Sequence, residues 1–334
     1  MLTAERVTPR ALTLQLPTPV QRLEIGGLHG ELWLKQDGAI HELYGGNKAR
    51  KAALLLAHAA ERGATRVLTF GAAGSHHVLC TALFAPDFGL RVAAVLLPQP
   101  ATEHARAVLG RSLAAGLEAY PASSGWSAAW RFLGARQSGD YVVPPGGSNA
   151  RGALAYALAI PELEAQIDAG ALPVPDWIVV PVGSGGTAAG LLAGLARSRL
   201  PTRLLAVSVL GNRWAAAQIR YLAGRALRLL PRAPLADRWR ERLVMDESQL
   251  GRGYGWATSA GERATELAAA QGVRLEPTYT AKAFAAALEL GRAASAPGAR
   301  PARILYWHTL SVAEGGPASA VPLPGALARL LSSE

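Results

Sequence analysis

Cysteine is nearly absent: Cys80 carries the one thiol in 334 residues. A lone thiol excludes a disulfide framework and any multi-cysteine zinc or iron–sulfur centre, and makes a reducing, cytoplasmic setting the expectation. Aromatic residues (6%) and charged residues (17%) are also scarce against 50% hydrophobic content. That balance excludes a disordered chain, and 36 glycines and 22 prolines are too dispersed for a fibrous one. A chain of this length buries a large core and suggests two packed units. The opening MLTAERVTPR lacks an apolar signal core. The one stretch that imitates a membrane span, Trp177 to Ala196, is interrupted by Pro181 and by the glycines of GSGG, so no membrane partner is expected.

Lysine is the other scarcity. The formal charge of +10 rests on 34 cationic residues, of which only Lys35, Lys48, Lys51 and Lys282 are lysines. The cations are scattered, and the densest run, Arg232 to Arg242, is broken by Asp237 and Glu241. It reads as a solvated helix face, so specific nucleic-acid binding is not expected. Where arginine serves almost everywhere, a retained lysine points to what guanidinium cannot give, such as an amine able to lose its proton and attack a carbonyl. Lys48 and Lys51 sit in the most unusual local sequence and lead on that ground; the remaining lysines need no special role.

The chain alternates β and α signals. Helices are expected over Asn47–Arg62, Thr102–Ala115, Trp126–Gln137, Asn149–Ala169, Thr187–Arg197 and Thr280–Arg292. Strands are expected at Arg66–Phe70, Val92–Leu97, Trp177–Val182, Leu204–Val209 and Ile304–Trp307. Such alternation implies an α/β fold of mostly parallel sheets covered on both faces, in two domains.

Three strand-to-helix turns carry chemistry. In Gly183-Ser184-Gly185-Gly186-Thr187 a buried strand runs into small residues and then a helix, an arrangement that aims backbone N–H groups and a hydroxyl at a phosphate. No Gly-Lys-Ser/Thr ends the loop, so it is not a Walker motif. The loose G-x-G-x-x-A pattern lacks a ribose-binding acid, because no Asp or Glu occurs between Ala188 and Asp237. In Tyr44 to Lys51, YGGNKARK, two glycines permit close backbone approach and Asn47 can cap the helix that presents Lys48. The helix dipole there favours the neutral amine, which ranks Lys48 above Lys51 as the easier to deprotonate. The third turn, Gly71 to His77 (GAAGSHH), carries a hydroxyl and two imidazoles, with no third ligand to make a metal site.

A reactive lysine, a separate phosphate cup and hydroxyl-bearing turns together match the needs of pyridoxal phosphate. The chain resembles the fold-type II pyridoxal-phosphate enzymes of the D-cysteine desulfhydrase and aminocyclopropane carboxylate deaminase family, from Thr18 through Ser311. GGNKARK resembles the cofactor-lysine motif, which makes Lys48 the implied Schiff-base residue. GAAGSHH is similar to a turn ending in Ser-Asn-His, which implies a catalytic Ser75 and substrate contacts from Ser75, His76 and His77. PGGSN at Pro145–Asn149 matches, as does GSGGT, the implied phosphate cup. GYG at Gly253–Gly255 and EPTYTAKA at Glu276–Ala283 resemble the two active-site tyrosine segments, implying catalytic Tyr254 and Tyr279. Asn47, His76, Thr280 and Thr309 complete the implied cofactor contacts. The family's asparagine facing the ring hydroxyl is His76 here, its glutamate after the second tyrosine is Thr280, and Leu310-Ser311 replace a Gly-Gly.

The resemblance implies a tryptophan synthase β-like architecture of two open twisted sheets, with residues 1–49 and 162–334 forming the larger, cofactor-binding domain and 50–161 the smaller. It also implies a homodimer and a small amino-acid substrate. The expected reaction is α,β-elimination, giving pyruvate, ammonia and sulfide from D-cysteine. A threonine rather than a carboxylate at the ring nitrogen favours loss of a β-leaving group over transamination. The rival readings are a β-replacement enzyme on the same fold and a degenerate cofactor-binding protein.

Overall fold

The computed structural model describes residues 11–293, 300–316 and 323–332. The opening ten residues, read above for targeting character, lie outside them. The strands are β1 Val20–Leu23, β2 Glu31–Gln36, β3 Arg66–Ala72, β4 Arg91–Leu97, β5 Gln99–Pro100, β6 Glu118–Pro121, β7 Asp140–Val142, β8 Trp177–Val182, β9 Arg203–Ser208, β10 Leu243–Asp246, β11 Arg303–His308 and β12 Leu331–Ser332. The helices are α1 Gly46–Glu61, α2 His76–Phe84, α3 Glu103–Ala114, α4 Gly125–Ala135, α5 Ala150–Ala157, α6 Ala159–Asp168, α7 Gly186–Arg197, α8 Ala215–Leu227, α9 Ser259–Ala269, α10 Thr280–Arg292 and α11 Gly325–Ala328.

The larger compact unit comprises Gln15–Lys51 and Gly146–Glu314. Its six-stranded sheet runs β1-β2-β11-β8-β9-β10, parallel except for the β1/β2 pair at one edge. Side-chain alternation along the strands feeds two cores. Ile178, Val180 and Val182 of β8, with Leu305 and Trp307 of β11, pack against α5, α7 and α8. Val179, Ile304 and Tyr306 face the opposite way, against α9 and α10. A sheet buried on both faces needs apolar residues at consecutive positions, which is why β8 reads WIVVPV. The uncharged stretch from Trp177 divides into β8 and α7, and no helix among the described residues is long and apolar enough to cross a membrane.

The smaller unit comprises Ala52–Pro145 with the described parts of Met1–Leu14 and Gly315–Glu334. Its four-stranded parallel sheet runs β6-β4-β3-β7. Phe70 of β3 stacks on Phe132 of α4 with ring centroids 4.5 Å apart. Arg66, fully buried, donates to Asp140 of the adjacent β7 (2.8 Å) and to Glu118 of β6, one strand beyond β4 (2.6 Å).

Several boundaries differ from the sequence expectation: the described residues before Gln15 group with the smaller unit, and Arg50 and Lys51 with the larger. Residues 146–161 belong to the larger unit, because α5 packs on α7 so closely that a Cβ at Gly190 would stand 2.1 Å from the Ala153 carbonyl oxygen. The described residues from Gly315 onward go with the smaller unit, since β12 pairs with β5 there. The helix expected over Asn149–Ala169 is two, α5 and α6, meeting at Leu158. Pro161, lacking an N–H and crowding the carbonyl of residue 157, explains the break.

Candidate cofactor and active site

The segment carrying Lys48 is pinned at every residue before it. A Cβ at Gly45 would lie 2.0 Å from the Gly38 carbonyl oxygen, and one at Gly46 (φ +76°) would lie 2.3 Å from that of Thr309, so both positions require glycine. The Gly45 amide donates to Ser311 Oγ (2.7 Å), which in turn donates to the Ala313 carbonyl (2.6 Å). Ser311 therefore serves as a strut for the lysine loop. Asn47 is not the helix cap: it lies inside α1, and its Nδ2 donates to Thr187 Oγ1 at 3.0 Å, tying the lysine helix to the glycine-rich turn. Lys48 is half-buried.

Lys51, one turn on and ranked behind Lys48 by the sequence, is buried. Its Nζ donates to the Gly146 carbonyl (3.1 Å) and stands 3.0 Å from where a Gly186 Cβ would be. Burial, then the charge of Lys48, pushes its pKa well below the ordinary lysine value. The helix dipole favours the neutral amine at Lys48, and burial favours it at Lys51. Among the described residues Lys51 has no acidic partner. A buried cation with no counter-ion is costly unless an anion joins it.

The place for that anion lies beside it. After β8 the chain turns through Gly185 (φ +81°) into α7, whose first amides are unpaired by the helix itself. Ser148 Oγ lies 2.7 Å from Ser184 Oγ and accepts from the Gly186 amide at 3.0 Å, so PGGSN and GSGGT form one hydrogen-bonded turn pair. Cβ atoms at Gly146 and Gly186 would fall 2.2 and 2.5 Å from the Ser184 and Ser148 hydroxyls. Ser148 escaped the sequence reading, although PGGSN contained it. Asn149 caps α5, accepting from Gly152 at 2.8 Å.

The tyrosine segments meet at the mouth of the same turn. Tyr279 lies over Gly183, where a Cβ would stand 3.0 Å from its ring. Tyr254 and Tyr279 pack edge to face, with ring centroids 5.7 Å apart. Burial raises both phenols above their usual range. Glu276 organises the turn: Oε1 accepts from the Tyr279 and Thr280 amides (2.7 and 2.8 Å) and Oε2 from that of Thr278 (2.8 Å). The Thr280 hydroxyl bonds back to Glu276, accepting from its amide at 2.7 Å. Thr309 is nearly buried, and its carbonyl accepts from the Asn47 amide at 3.2 Å.

In the smaller unit Ser75 caps α2, its Oγ accepting from Val78 at 3.4 Å. His76 Nε2 lies 2.9 Å from His104 Nε2. His77, expected at the substrate, is buried with Nε2 2.9 Å from Thr69 Oγ1, whose own proton goes to the Val143 carbonyl. No group of three or more potential metal ligands occurs among the described residues.

Sequence inspection also missed a buried ionic network. Arg50, two residues past Lys48, donates from Nη2 and Nε to both oxygens of Asp37 (2.8 and 3.0 Å) and from Nη1 to Glu162 (2.8 Å). Tyr156 (2.5 Å) and Trp307 (2.7 Å) also donate to Asp37, and Lys35 donates to Glu162 (2.5 Å). Burial alone would raise both carboxyls, but the Arg50 guanidinium overcomes it and holds them below the ordinary range. Directly bonded members lie up to 270 residues apart, so no local motif could announce them.

A family model described as pyridoxal-phosphate dependent enzyme matches residues 11–309. The chain belongs to that family. It is 35% identical over 318 residues to the nocardicin C-9' epimerase of Nocardia uniformis subsp. tsuyamanensis, covering 92% of this chain and 94% of the relative. It is 32% identical over 297 residues to a D-cysteine desulfhydrase of Klebsiella pneumoniae subsp. pneumoniae, covering 84% and 88%. A crystal structure of an ACC deaminase homologue superposes with a TM-score of 0.73 at 28% identity, covering 92% of this chain and 93% of that one. The fold is accordingly that of the fold-type II family, and the cofactor is pyridoxal phosphate. The residues present suit it: a buried lysine with no acidic partner among the described residues, helix-terminal amides and glycines that leave no room for a Cβ are what its phosphate would need.

Proposed function

We propose that this enzyme catalyses α,β-elimination on a small amino acid with a leaving group on its β-carbon, D-cysteine above all, yielding pyruvate, ammonia and sulfide. When bound, the cofactor supplies an electron sink for the substrate α-carbon. Lys48 is the amine that holds it and then moves the Cα proton. Lys51, the amides of Gly185 to Thr187 and the Thr187 hydroxyl, oriented by Asn47, bind the phosphate. Tyr254, Tyr279, Ser75 and His76 act on the substrate.

The observation that carries the elimination reading is the division of labour between two threonines. The Thr280 hydroxyl is committed to Glu276, and both Glu276 oxygens are taken up by backbone amides. Thr309 would then be the neutral group available to the cofactor's ring nitrogen, and a hydroxyl there would favour ring protonation less than a carboxylate, which would favour loss of a β-leaving group. Sulfide departs with the pair, and water then converts the released imine to pyruvate and ammonia.

Purified enzyme offered a panel of D- and L-amino acids should release pyruvate and sulfide in equal amounts from D-cysteine, with the cofactor trapped on Lys48 by borohydride and peptide mapping. A panel without any keto acid would sink the elimination reading. Epimerisation is the second reading, favoured by the 35% identity to an epimerase across 92% of the chain. It predicts solvent deuterium at Cα and inversion without loss of substituents.

A further inference from the structure

The loop that presents Tyr254 has little to hold it in shape. Gly251, Gly253 and Gly255 all take positive φ (+57°, +104° and +82°), so the run GRGYG alternates left-handed glycines with Arg252 and Tyr254. Glycines confer the least intrinsic order of any residue. Arg252 is exposed and folds back over the Trp256 ring, 3.6 Å from its centroid. One backbone bond, from the Gly253 amide to the Leu250 carbonyl (3.0 Å), closes the turn.

Both carbonyls at the ends of that turn converge on a single cation. Lys282, fully buried in the first turn of α10, donates from Nζ to the Leu250 and Gly253 carbonyls, each at 2.8 Å. It lies three residues beyond Tyr279, the phenol that packs on Tyr254. The start of α10 therefore presents Tyr279 directly and holds the Tyr254 loop through an ammonium. This also accounts for a lysine in a chain with 30 arginines among its 34 cations: a compact tetrahedral donor satisfies two converging carbonyls where a planar guanidinium is too large.

We propose that Lys282 is the positioning residue that fixes Tyr254 against Tyr279 in the active site. The inference rests on the reading of Tyr254 as a site residue. Lys282→Met keeps the side-chain volume and removes every donor, whereas Lys282→Gln keeps two N–H groups and guards against a methionine variant that does not fold.

In the holoenzyme, limited trypsinolysis should cut after Arg252 at least about tenfold faster for Lys282→Met than for wild type, with Lys282→Gln between them, because cleavage follows the population of the opened loop. Borohydride trapping on Lys48 should be unchanged. With D-cysteine, kcat should fall about 10²-fold with little change in KM, the usual scale for a misplaced reacting group. That loss should disappear in a Tyr254→Phe background, since the two residues act as one unit. Unchanged protection of Arg252 in both variants, or a Lys282→Met loss that persists in full beside Tyr254→Phe, would overturn the proposal. Full activity of Tyr254→Phe alone, with the loop loosened by Lys282→Met, would instead remove Tyr254 from the site and leave the clamp standing.

Discussion

Lysine scarcity meant more than a search for a nucleophile. Lys35, Lys51 and Lys282 are all buried and Lys48 is half-buried, so none of the four lysines is an ordinary surface cation. Lys35 bonds Glu162, Lys282 clamps two carbonyls, and Lys51 bonds a carbonyl while facing no acid among the described residues. A buried ammonium without a counter-ion destabilises the protein that carries it, and an arriving anion would relieve that cost. Lys51→Met should therefore weaken pyridoxal-phosphate binding about 10- to 100-fold, the loss of one charged hydrogen bond. The same substitution should raise the thermal midpoint of the cofactor-free protein. Fluorescence titration with the cofactor and calorimetry of the apoprotein read the two effects separately, and a lowered apoprotein midpoint would contradict the account.

At the scale of elements, the end of β11 does the most. Tyr306 donates to the Thr280 carbonyl (3.1 Å), Trp307 to Asp37 (2.7 Å) and His308 to the Arg274 carbonyl (2.9 Å), while the Thr309 carbonyl receives the Asn47 amide. One strand end thus fixes the tyrosine turn, the ionic network and the lysine helix. Its existence was legible from apolar periodicity, as were β8 and α7. The β1/β2 hairpin was not, because a strand such as VQRL at a sheet edge is mostly exposed and carries no buried run. His308 gives this element a pH signature. Burial, partly offset by its carbonyl partner, lowers its pKa to about 4. The unfolded chain takes up that proton near pH 6.5, so it binds more protons than the native state between the two values, and stability is lost as pH falls through that window. The shift amounts to roughly 3 kcal/mol at most by linkage. Urea midpoints at pH 7 and pH 5 should diverge less for His308→Gln than for wild type.

For the molecule as a whole, the cofactor chemistry was legible because its parts are local: a turn, a cup and a lysine-bearing helix each occupy a few consecutive residues. What holds them together was not, because Thr18, Lys35, Asp37, Arg50, Tyr156, Glu162 and Trp307 meet only in the folded larger unit. The network joins β2, α1, α5, α6 and β11, and Arg50 anchors the helix that bears Lys48 at its first turn. Asp37 sits at the centre with four donating side chains, so a neutral amide in its place leaves Arg50 buried and short of charge. Asp37→Asn should cost about 3–5 kcal/mol, the range for breaking a buried pair. Because the Asp37 and Glu162 pKa values are depressed in the native state, their contribution is complete above the unfolded carboxylate values near 4 and is lost as pH falls below them. Wild type should therefore lose stability steeply below about pH 4, and Asp37→Asn, already deprived of that contribution, should show a shallower acid slope in urea titrations. Equal slopes for the two proteins would mean that the network is not what acid dismantles first.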